Sequence, residues 1–442
     1  MNNSTLKKYF QVTLGCQMNE HDSEVIAAML ESKGYNPVSS AEDADLIIIN
    51  TCAVRKKPED KVASLLGKYA ALKEINKNLV IAVGGCMTQQ SDAAHYIKDR
   101  FHFVDLVFGT HALPRLPELI DQAIESKSAI LDISENILDR EKLPVSHGSS
   151  FKAWLPIIYG CNNYCSYCVV PFVRGSERSR PFHDIINDAK QLAENGYLEI
   201  TLLGQNVNSY GNDLNNGVSF TDLLKEINSI EGLRRIRFMT SHPKDLSVKL
   251  IETIAMGKLL CEHFHLPVQS GSNRILELMN RKYTKEKYLN LIKEIKDMIP
   301  GASITSDIII GFPGENESDF QETLNLVQEA RFDNAFSFIY SPRNNTAAAR
   351  MKETLSHAEK EDRLLRFNEV QHKISKDINL SLVGSTEELL VEGPSKNNPE
   401  LQTGRTRTNK LVHFSHSEDL TANFAEVIIT EARTWNLVGE LE

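Results

Sequence analysis

Three cysteines within eight residues, Cys161-Asn-Asn-Tyr-Cys165-Ser-Tyr-Cys168, constrain this chain more than any other feature, because one tight loop must present all three. A cubane of four irons and four sulfides is fully ligated by four cysteine thiolates. A C-x3-C-x2-C loop supplies three and leaves one iron open to another ligand. Two competing readings fit less well. Zinc sites bring cysteines in C-x2-C pairs completed by a further Cys or His at knuckle spacing, and none stands between Cys168 and His183. A disulfide framework needs an oxidising compartment and denser cysteine usage than seven in 442 residues.

At 442 residues the chain exceeds the size at which a single core stops growing, so two or three domains are expected. Its 41% hydrophobic and 24% charged residues are ordinary for a globular protein. A net charge of −10 argues against a surface that coats nucleic acid, so any RNA contact is local. The first ten residues lack the apolar core of a signal peptide, and no stretch approaches the roughly 18 apolar residues that span a bilayer. A cytoplasmic setting without a membrane partner is expected, where thiols stay reduced.

Residues 1–140 read as a parallel α/β domain. Short strands over Tyr9–Leu14, Leu46–Ile49, Leu79–Val83 and Leu106–Phe108 alternate with amphipathic segments, including a helix from Asp22 to Lys33 that stops at Gly34. Cys16 follows the first strand in Leu-Gly-Cys, Cys52 the second in Asn-Thr-Cys, and Cys86 the third in Gly-Gly-Cys. The C-terminal ends of strands line the ligand crevice of an open α/β sheet. A single cysteine there is ordinarily a small buried hydrophobe. Three at equivalent strand ends predict a second cluster site, again with three ligands.

A polar linker is expected over 137–150. Between 150 and 375 six apolar runs, Leu155–Tyr159, Glu199–Leu203, Arg235–Met239, His263–Val268, Ser303–Ile310 and Ala335–Tyr340, recur with helical patterns and predict a partial (β/α)6 barrel. Reactive groups of β/α barrels gather at the C-terminal strand ends, and the Cys161 loop follows the first strand. Polar residues mark the other ends: Gln205 and Asn206, Ser241 and His242, Gln269 and Ser270, Asp307 within the fifth strand, and Arg343 after the sixth. They are candidate contacts for a ligand at the open iron, against the plainer possibility that such residues only cap and turn. Cys261 reads as a buried thiol. Arg174, Arg178 and Arg180, just beyond the cysteines, either steer a phosphate backbone or serve internally, pairing with Glu177 or supporting the structure beside the cluster.

A charged stretch from Ser356 to Leu380 reads as a solvated connecting helix. Residues 376–442 then turn to short β-rich runs, predicting a small OB-like antiparallel barrel. Arg405, Arg407 and Lys410 cluster there, as phosphate contacts or as plain solubilising charge.

With two three-cysteine sets, a partial barrel and a small terminal barrel, nearly the whole length resembles the methylthiotransferases of the radical S-adenosylmethionine (SAM) superfamily. The segments GCQMNEHDSE, NTCAVRKKPEDKV, GGCMTQQ and VVPFVRGSERSR are similar to the branch acting on isopentenyladenosine in bacterial tRNA. The ribosomal-protein branch reads Lys-Asn where this chain has Gln17-Met18-Asn19, and the threonylcarbamoyl-adenosine branch also differs there. Asn344-Asn345 departs from the Pro-Gly often found in relatives.

The resemblance implies a methylthiotransferase domain (1–140), a radical SAM domain (150–375) and an RNA-engaging TRAM domain (376–442). It implies that Cys161, Cys165 and Cys168 hold a SAM-binding [4Fe-4S] cluster, and that Cys16, Cys52 and Cys86 hold an auxiliary [4Fe-4S] cluster. One SAM would methylate a sulfur at the auxiliary cluster. A second would yield the 5′-deoxyadenosyl radical that removes hydrogen from C2 of adenosine 37, beside the anticodon. The implied partners are the tRNA anticodon stem-loop, an electron donor such as flavodoxin or ferredoxin, and sulfur and cluster delivery proteins. The alternatives are a methylthiotransferase with another target, either threonylcarbamoyl-adenosine or a ribosomal protein, and an iron–sulfur electron carrier with an RNA-binding tail.

Overall fold

In the computed structural model of the chain, residues 7–53, 56–126, 128–136, 140 and 142–442 are described. Part of the expected 137–150 linker and the Val54-Arg55 pair of the second cysteine motif lie outside the described residues. Two compact units emerge: Met1–Gly148 with Tyr159–Asn162 and Cys168–Arg180, and Ser149–Ile158 with Asn163–Tyr167 and Pro181–Glu442. Cys161 and Cys168 thus fall in the first unit and Cys165 in the second.

The first unit is built on strands β1 (Lys7–Thr13), β2 (Tyr35–Pro37), β3 (Leu46–Thr51), β4 (Val80–Gly85), β5 (Leu106–Gly109) and β6 (Ile130–Asp132), joined in the order β2-β1-β3-β4-β5-β6. All five pairings are parallel. A parallel sheet is covered on both faces, so its strands read as unbroken apolar runs, and β3 is buried at all six positions. Alternate side chains serve opposite cores. Leu46 and Ile48 meet Val25, Ile26, Leu119 and Ile120 from helices Gln17–Ser32 and Leu116–Glu125. Ile47 and Ile49 meet Val62, Leu66, Ala94 and Ile97 from helices Lys56–Ile75 and Ser91–Arg100. Each of these isoleucines contributes about 1.5–3 kcal/mol by leaving water.

Strand order reverses between β1 and β3, which makes that boundary the switch point where open sheets bind ligands. The first helix begins at Gln17, earlier than the expected Asp22, because the Cys16 carbonyl already accepts from the Asn19 and Glu20 amides. Asp22 therefore sits within the helix, not at its cap.

The second unit opens with β7 (Lys152–Pro156); the two-residue strands β8 (Ile158–Tyr159) and β9 (Arg178–Ser179) follow in the chain, β9 lying in the first unit. The remaining barrel strands are β10 (Glu199–Leu203), β11 (Arg235–Phe238), β12 (His263–His265), β13 (Ser303–Ile310) and β14 (Asn334–Ile339). They form parallel sheets β11-β10-β7 and β12-β13-β14, so neighbours in space are neighbours in the barrel's chain order. Leu260 links the two through a parallel bridge to Ile236. This is the expected open six-stranded half-barrel. β12 is shorter than its apolar run, since Pro267 has no amide to give; the ladder is rejoined by a bridge between Gln269 and Ile308.

Helix His357–Leu380 starts at a capping box formed by Ser356 and Glu359. It is less solvated than its charge implies: Phe367 and Ile374 join the half-barrel core, and Gln371 and Ser375 donate to the carbonyls of Phe332 and Asp333. Beyond it, β15 (Thr386–Pro394), β16 (Leu401–Arg405), β17 (Leu411–Ser415), β18 (Phe424–Ala432) and β19 (Leu437–Leu441) close a barrel in the order β15-β16-β17-β19-β18 around Leu389, Val412, Phe414 and Val427.

Candidate functional site

Cys16, Cys52 and Cys86 follow β1, β3 and β4, three adjacent strands around the switch point. Gly15, at φ +142°, permits the crowding: a Cβ there would lie 2.8 Å from the Cys52 Cβ. Asn19 and Asn50 brace the same corner. Asn19 donates to the Thr51 carbonyl (2.9 Å), Asn50 donates to the Asn19 carbonyl (2.8 Å), and the Cys16 thiol donates to Asn19 Oδ1 (3.3 Å). The Cys86 amide donates to the Thr51 carbonyl at 2.9 Å. Cys52 and Cys86 are buried while Cys16 is exposed, and none of the seven cysteines is in a disulfide.

Burial pushes the Cys86 thiol up to about 12, with Cys52 and Cys16 adding to the rise and Arg174 opposing it. Among the described residues no three His, Cys, Asp or Glu side chains close on a single ion. A cubane takes each thiolate on a different iron, so its ligand set is wider than that of one ion.

Arg174 reaches Cys86 directly: Nε donates to Sγ at 3.2 Å and Nη2 to Asp22 Oδ2 at 2.7 Å, while Nη1 has no hydrogen-bond partner among the described residues. Arg140 holds the other Asp22 oxygen. Burial alone would raise the Asp22 carboxyl, but the two guanidiniums overcome this and hold it at about 2. His21 next to it is kept neutral by burial, its imidazole lowered to about 3. Arg174, Arg140 and Arg178 line a small cleft with Thr110, His111 and Tyr159. Of the three arginines expected to steer phosphate, Arg174 and Arg180 are buried, and Arg178 is half-buried over the Tyr159 ring. Arg174 is a buried partner of Asp22 and Cys86, not a surface phosphate contact, in line with the other reading, a structural role beside the cysteines.

The second cysteine set begins at Gly160, φ +72°, where a Cβ would stand 2.1 Å from the Ser176 carbonyl oxygen. The Cys161 amide donates to the Gly175 carbonyl at 3.2 Å. Around Cys165 the segment is pinned from below. Ser166 donates through its amide to Met279 O (3.0 Å) and through Oγ to Leu278 O (2.8 Å), and it accepts from the Ala348 amide (2.7 Å). Tyr167 packs on Ile275, Met279 and Phe312. Arg281, buried, donates to Cys165 Sγ at 3.4 Å, Tyr167 Oη at 3.3 Å, Pro267 O at 2.6 Å and Tyr283 Oη at 2.8 Å. Sequence reasoning missed Arg281, because nothing in Met-Asn-Arg-Lys distinguishes it from a solvated helix end.

The strand-end polar residues divide into two groups. Asn206 is a brace, donating to Asp245 (2.7 Å) and accepting from the His242 amide (3.0 Å). Ser270 lies within hydrogen-bond distance of Thr323 and caps the Ser272 amide. His242 accepts from the Lys244 amide; burial, then Arg281 and Lys244, lower its imidazole to about 2, so the ring is neutral near pH 7. Ser241 is different: its hydroxyl is buried without a partner among the described residues, as a group awaiting a ligand would be. Gln269, held at φ +74°, is bonded through its backbone to Asp307 and Ile309, which leaves its side-chain amide uncommitted by those bonds. Asp307 stands 3.5 Å from His265, Gln205 is half-buried, and Arg343 is buried.

The C-terminal cations do not form a free patch. Arg407 is bidentate on Glu262 (2.6 and 3.0 Å) and donates to the Leu260 carbonyl (2.6 Å). Lys410 holds Asp333 (2.6 Å) and Asn379 (3.0 Å), and Arg405 pairs with Glu392 at 3.3 Å. In return, fully buried Arg235 donates to the carbonyls of Arg405 and Glu388, and Arg237 to those of Thr406 and Arg407. Arg407 and Lys410 fasten the small barrel to the half-barrel, which corrects their expected role as phosphate contacts. Cys261 is the buried thiol expected of it.

Comparison with known proteins finds three family matches along the chain. Residues 8–109 match the uncharacterized protein family UPF0004, residues 155–327 the radical SAM superfamily, and residues 380–441 the TRAM domain. A tRNA-2-methylthio-N(6)-dimethylallyladenosine synthase of Natranaerobius thermophilus is 50% identical over 98% of this chain and 97% of its own length. Proteins of the same name from Alkaliphilus oremlandii (52%, covering 98% and 93%) and Desulforamulus reducens (51%, covering 100% and 96%) are equally similar. Among solved structures, the radical SAM methyltransferase TsrM of Kitasatospora setae superposes with a TM-score of 0.55 at 12% identity, over 89% of this chain and 80% of that one, a likeness of fold alone. Identity near one half from end to end settles kinship: the chain belongs to the tRNA-2-methylthio-N(6)-dimethylallyladenosine synthase family.

Proposed function

We propose that this protein installs a methylthio group at C2 of N6-isopentenyl (dimethylallyl) adenosine 37 in tRNA, by radical SAM chemistry. The observation that carries the reading is identity of 50% over 98% of the chain with a relative bearing that name. In this reading Cys161, Cys165 and Cys168 hold one [4Fe-4S] cluster, and Cys16, Cys52 and Cys86 hold the other. When bound, three-thiolate clusters supply an open iron to seat SAM or sulfur and an electron to cleave SAM.

The chain's own residues orient and shield. Ser241 and Gln269 at the strand ends and Asp307 within β13 are the candidate contacts for SAM, with Gln205 and Arg343 as further candidates. Neutral His242 and Asn206 brace that wall, Asn206 accepting from the His242 amide. Arg178 and Arg405, the less committed of the predicted cations, are the remaining candidates for phosphate contact, and the base is reached by splaying it from the anticodon loop. A flavodoxin- or ferredoxin-like electron donor, sulfur and cluster delivery proteins and a cytoplasmic setting complete the proposal. Among the described residues no helix is long and apolar enough to cross a membrane.

The test is anaerobic SAM cleavage followed by nucleoside analysis. Reconstituted, reduced protein yields 5′-deoxyadenosine and converts isopentenyladenosine in tRNA to its 2-methylthio form, and Cys161→Ala loses both. Cleavage at the parent rate in Cys161→Ala defeats the assignment.

A further inference from the structure

Each cysteine set contains one sulfur that accepts from a buried arginine: Cys86 from Arg174 at 3.2 Å and Cys165 from Arg281 at 3.4 Å. The two arginines differ in what else they hold. Arg174 is paired with Asp22 at 2.7 Å, both side chains being 4% exposed. Among the described residues Arg281 has only neutral hydrogen-bond partners besides the sulfur, namely the Pro267 carbonyl and the hydroxyls of Tyr283 and Tyr167. Its charge meets no carboxylate among these partners, whereas that of Arg174 is partly offset by Asp22, which it shares with Arg140.

Hydrogen bonds to ligand sulfurs and nearby positive charge both favour the more negative, reduced state of an iron–sulfur cluster, and a poorly screened interior magnifies the charge effect. We propose that Arg281 and Arg174 are positioning residues that set unequal reduction potentials for the two clusters, Arg281 raising that of the Cys161–Cys168 cluster strongly and Arg174 that of the strand-end cluster weakly, because Asp22 offsets it. The inference rests on the ligand reading above. Reduction here moves one electron from a low-potential one-electron donor, such as a reduced flavin or iron–sulfur protein, onto the cluster. No bond to either arginine forms or breaks and no proton moves. The consequence is a bias: the electron settles where SAM is cleaved and not where sulfur is handled.

The experiment uses full-length protein in two backgrounds, each keeping one cluster. Cys16→Ala/Cys52→Ala/Cys86→Ala retains the loop set, and Cys161→Ala/Cys165→Ala/Cys168→Ala retains the strand-end set. Iron and acid-labile sulfide are measured first, then midpoint potentials by dithionite titration followed by electron paramagnetic resonance. Arg281→Gln is expected to shift the loop cluster to more negative potential. Arg174→Gln is expected to shift the strand-end cluster negative by less, and Asp22→Asn to shift it positive. Opposite signs at Asp22 and Arg174 cannot come from loosened packing, which would move both the same way. Should Arg281→Gln fail to retain its cluster, Arg281→Lys is read instead and gives a smaller negative shift. Loaded clusters with unmoved potentials, or an Asp22→Asn shift in the negative direction, overturn this inference alone. Parents lacking iron and sulfide overturn the ligand reading and this inference with it.

Discussion

The two cysteine sets are assembled by opposite routes. Cys161, Cys165 and Cys168 are neighbours in the chain, brought together by one loop. Cys16, Cys52 and Cys86 are drawn from 71 residues of sequence and meet only because β1, β3 and β4 are adjacent in a parallel sheet. The first set is a local property and the second a topological one, so the second is hostage to the stability of its whole domain while the first depends on a few hydrogen bonds. A glycine at positive φ precedes the opening cysteine of each set, Gly15 and Gly160, which shows where both routes need the same local solution.

The largest effect that separates the sets is loss of SAM cleavage. Cys161→Ala abolishes it, whereas Cys52→Ala leaves 5′-deoxyadenosine formation measurable and removes only methylthiolation of tRNA, both read by mass spectrometry. Next comes Gly15→Ala. Its backbone at φ +142° and the 2.8 Å approach to Cys52 Cβ predict a loss of about 1–3 kcal/mol in the sheet domain, with iron content falling toward half as the strand-end set fails to load. The same change leaves the loop cluster's spectrum in place; its disappearance would break the distinction drawn here.

A smaller effect follows pH. The Asp22 carboxyl lies at about 2 in the folded protein against 3.8 ordinarily, so its stabilising contribution is complete above about pH 4 and is lost as pH falls from 4 towards 2. The contribution is about 2 kcal/mol. Asp22→Asn flattens that part of the stability curve in thermal melts, and at pH 7 it destabilises further by stranding Arg174 and Arg140. The smallest effect concerns His242, whose imidazole is neutral throughout the working range. His242→Asn leaves the shape of the SAM-cleavage profile between pH 6 and 8 unchanged, and a lost inflection near 6.5 would show that it titrates after all.

Much of this was legible before any coordinates. Apolar runs such as Leu46–Ile49 mark buried parallel strands because only a doubly covered sheet tolerates them, and the cysteines after three such runs mark the sheet's ligand edge. The strands that escaped notice are short, β2 and β6 having three residues each, too few for a period to register. Site residues escaped for another reason. Asp22 reads only as the start of a helix and Arg407 like a solvated cation until partners 152 and 145 residues away, Arg174 and Glu262, are placed beside them. Periodicity reports which face of an element is apolar; it carries no information about which charges will be paired across such distances.

The terminal barrel's grip on the half-barrel has an experimental corollary. Arg235 is wholly enclosed, and its donors end on main-chain oxygens at Glu388 and Arg405 that belong to the barrel. Amputating residues beyond 380 would strip those acceptors away and leave a guanidinium stranded in the catalytic body. A truncated enzyme that no longer modifies RNA would then report a damaged core as readily as a missing RNA-binding surface, and single exposed substitutions are the cleaner instrument for telling the two apart.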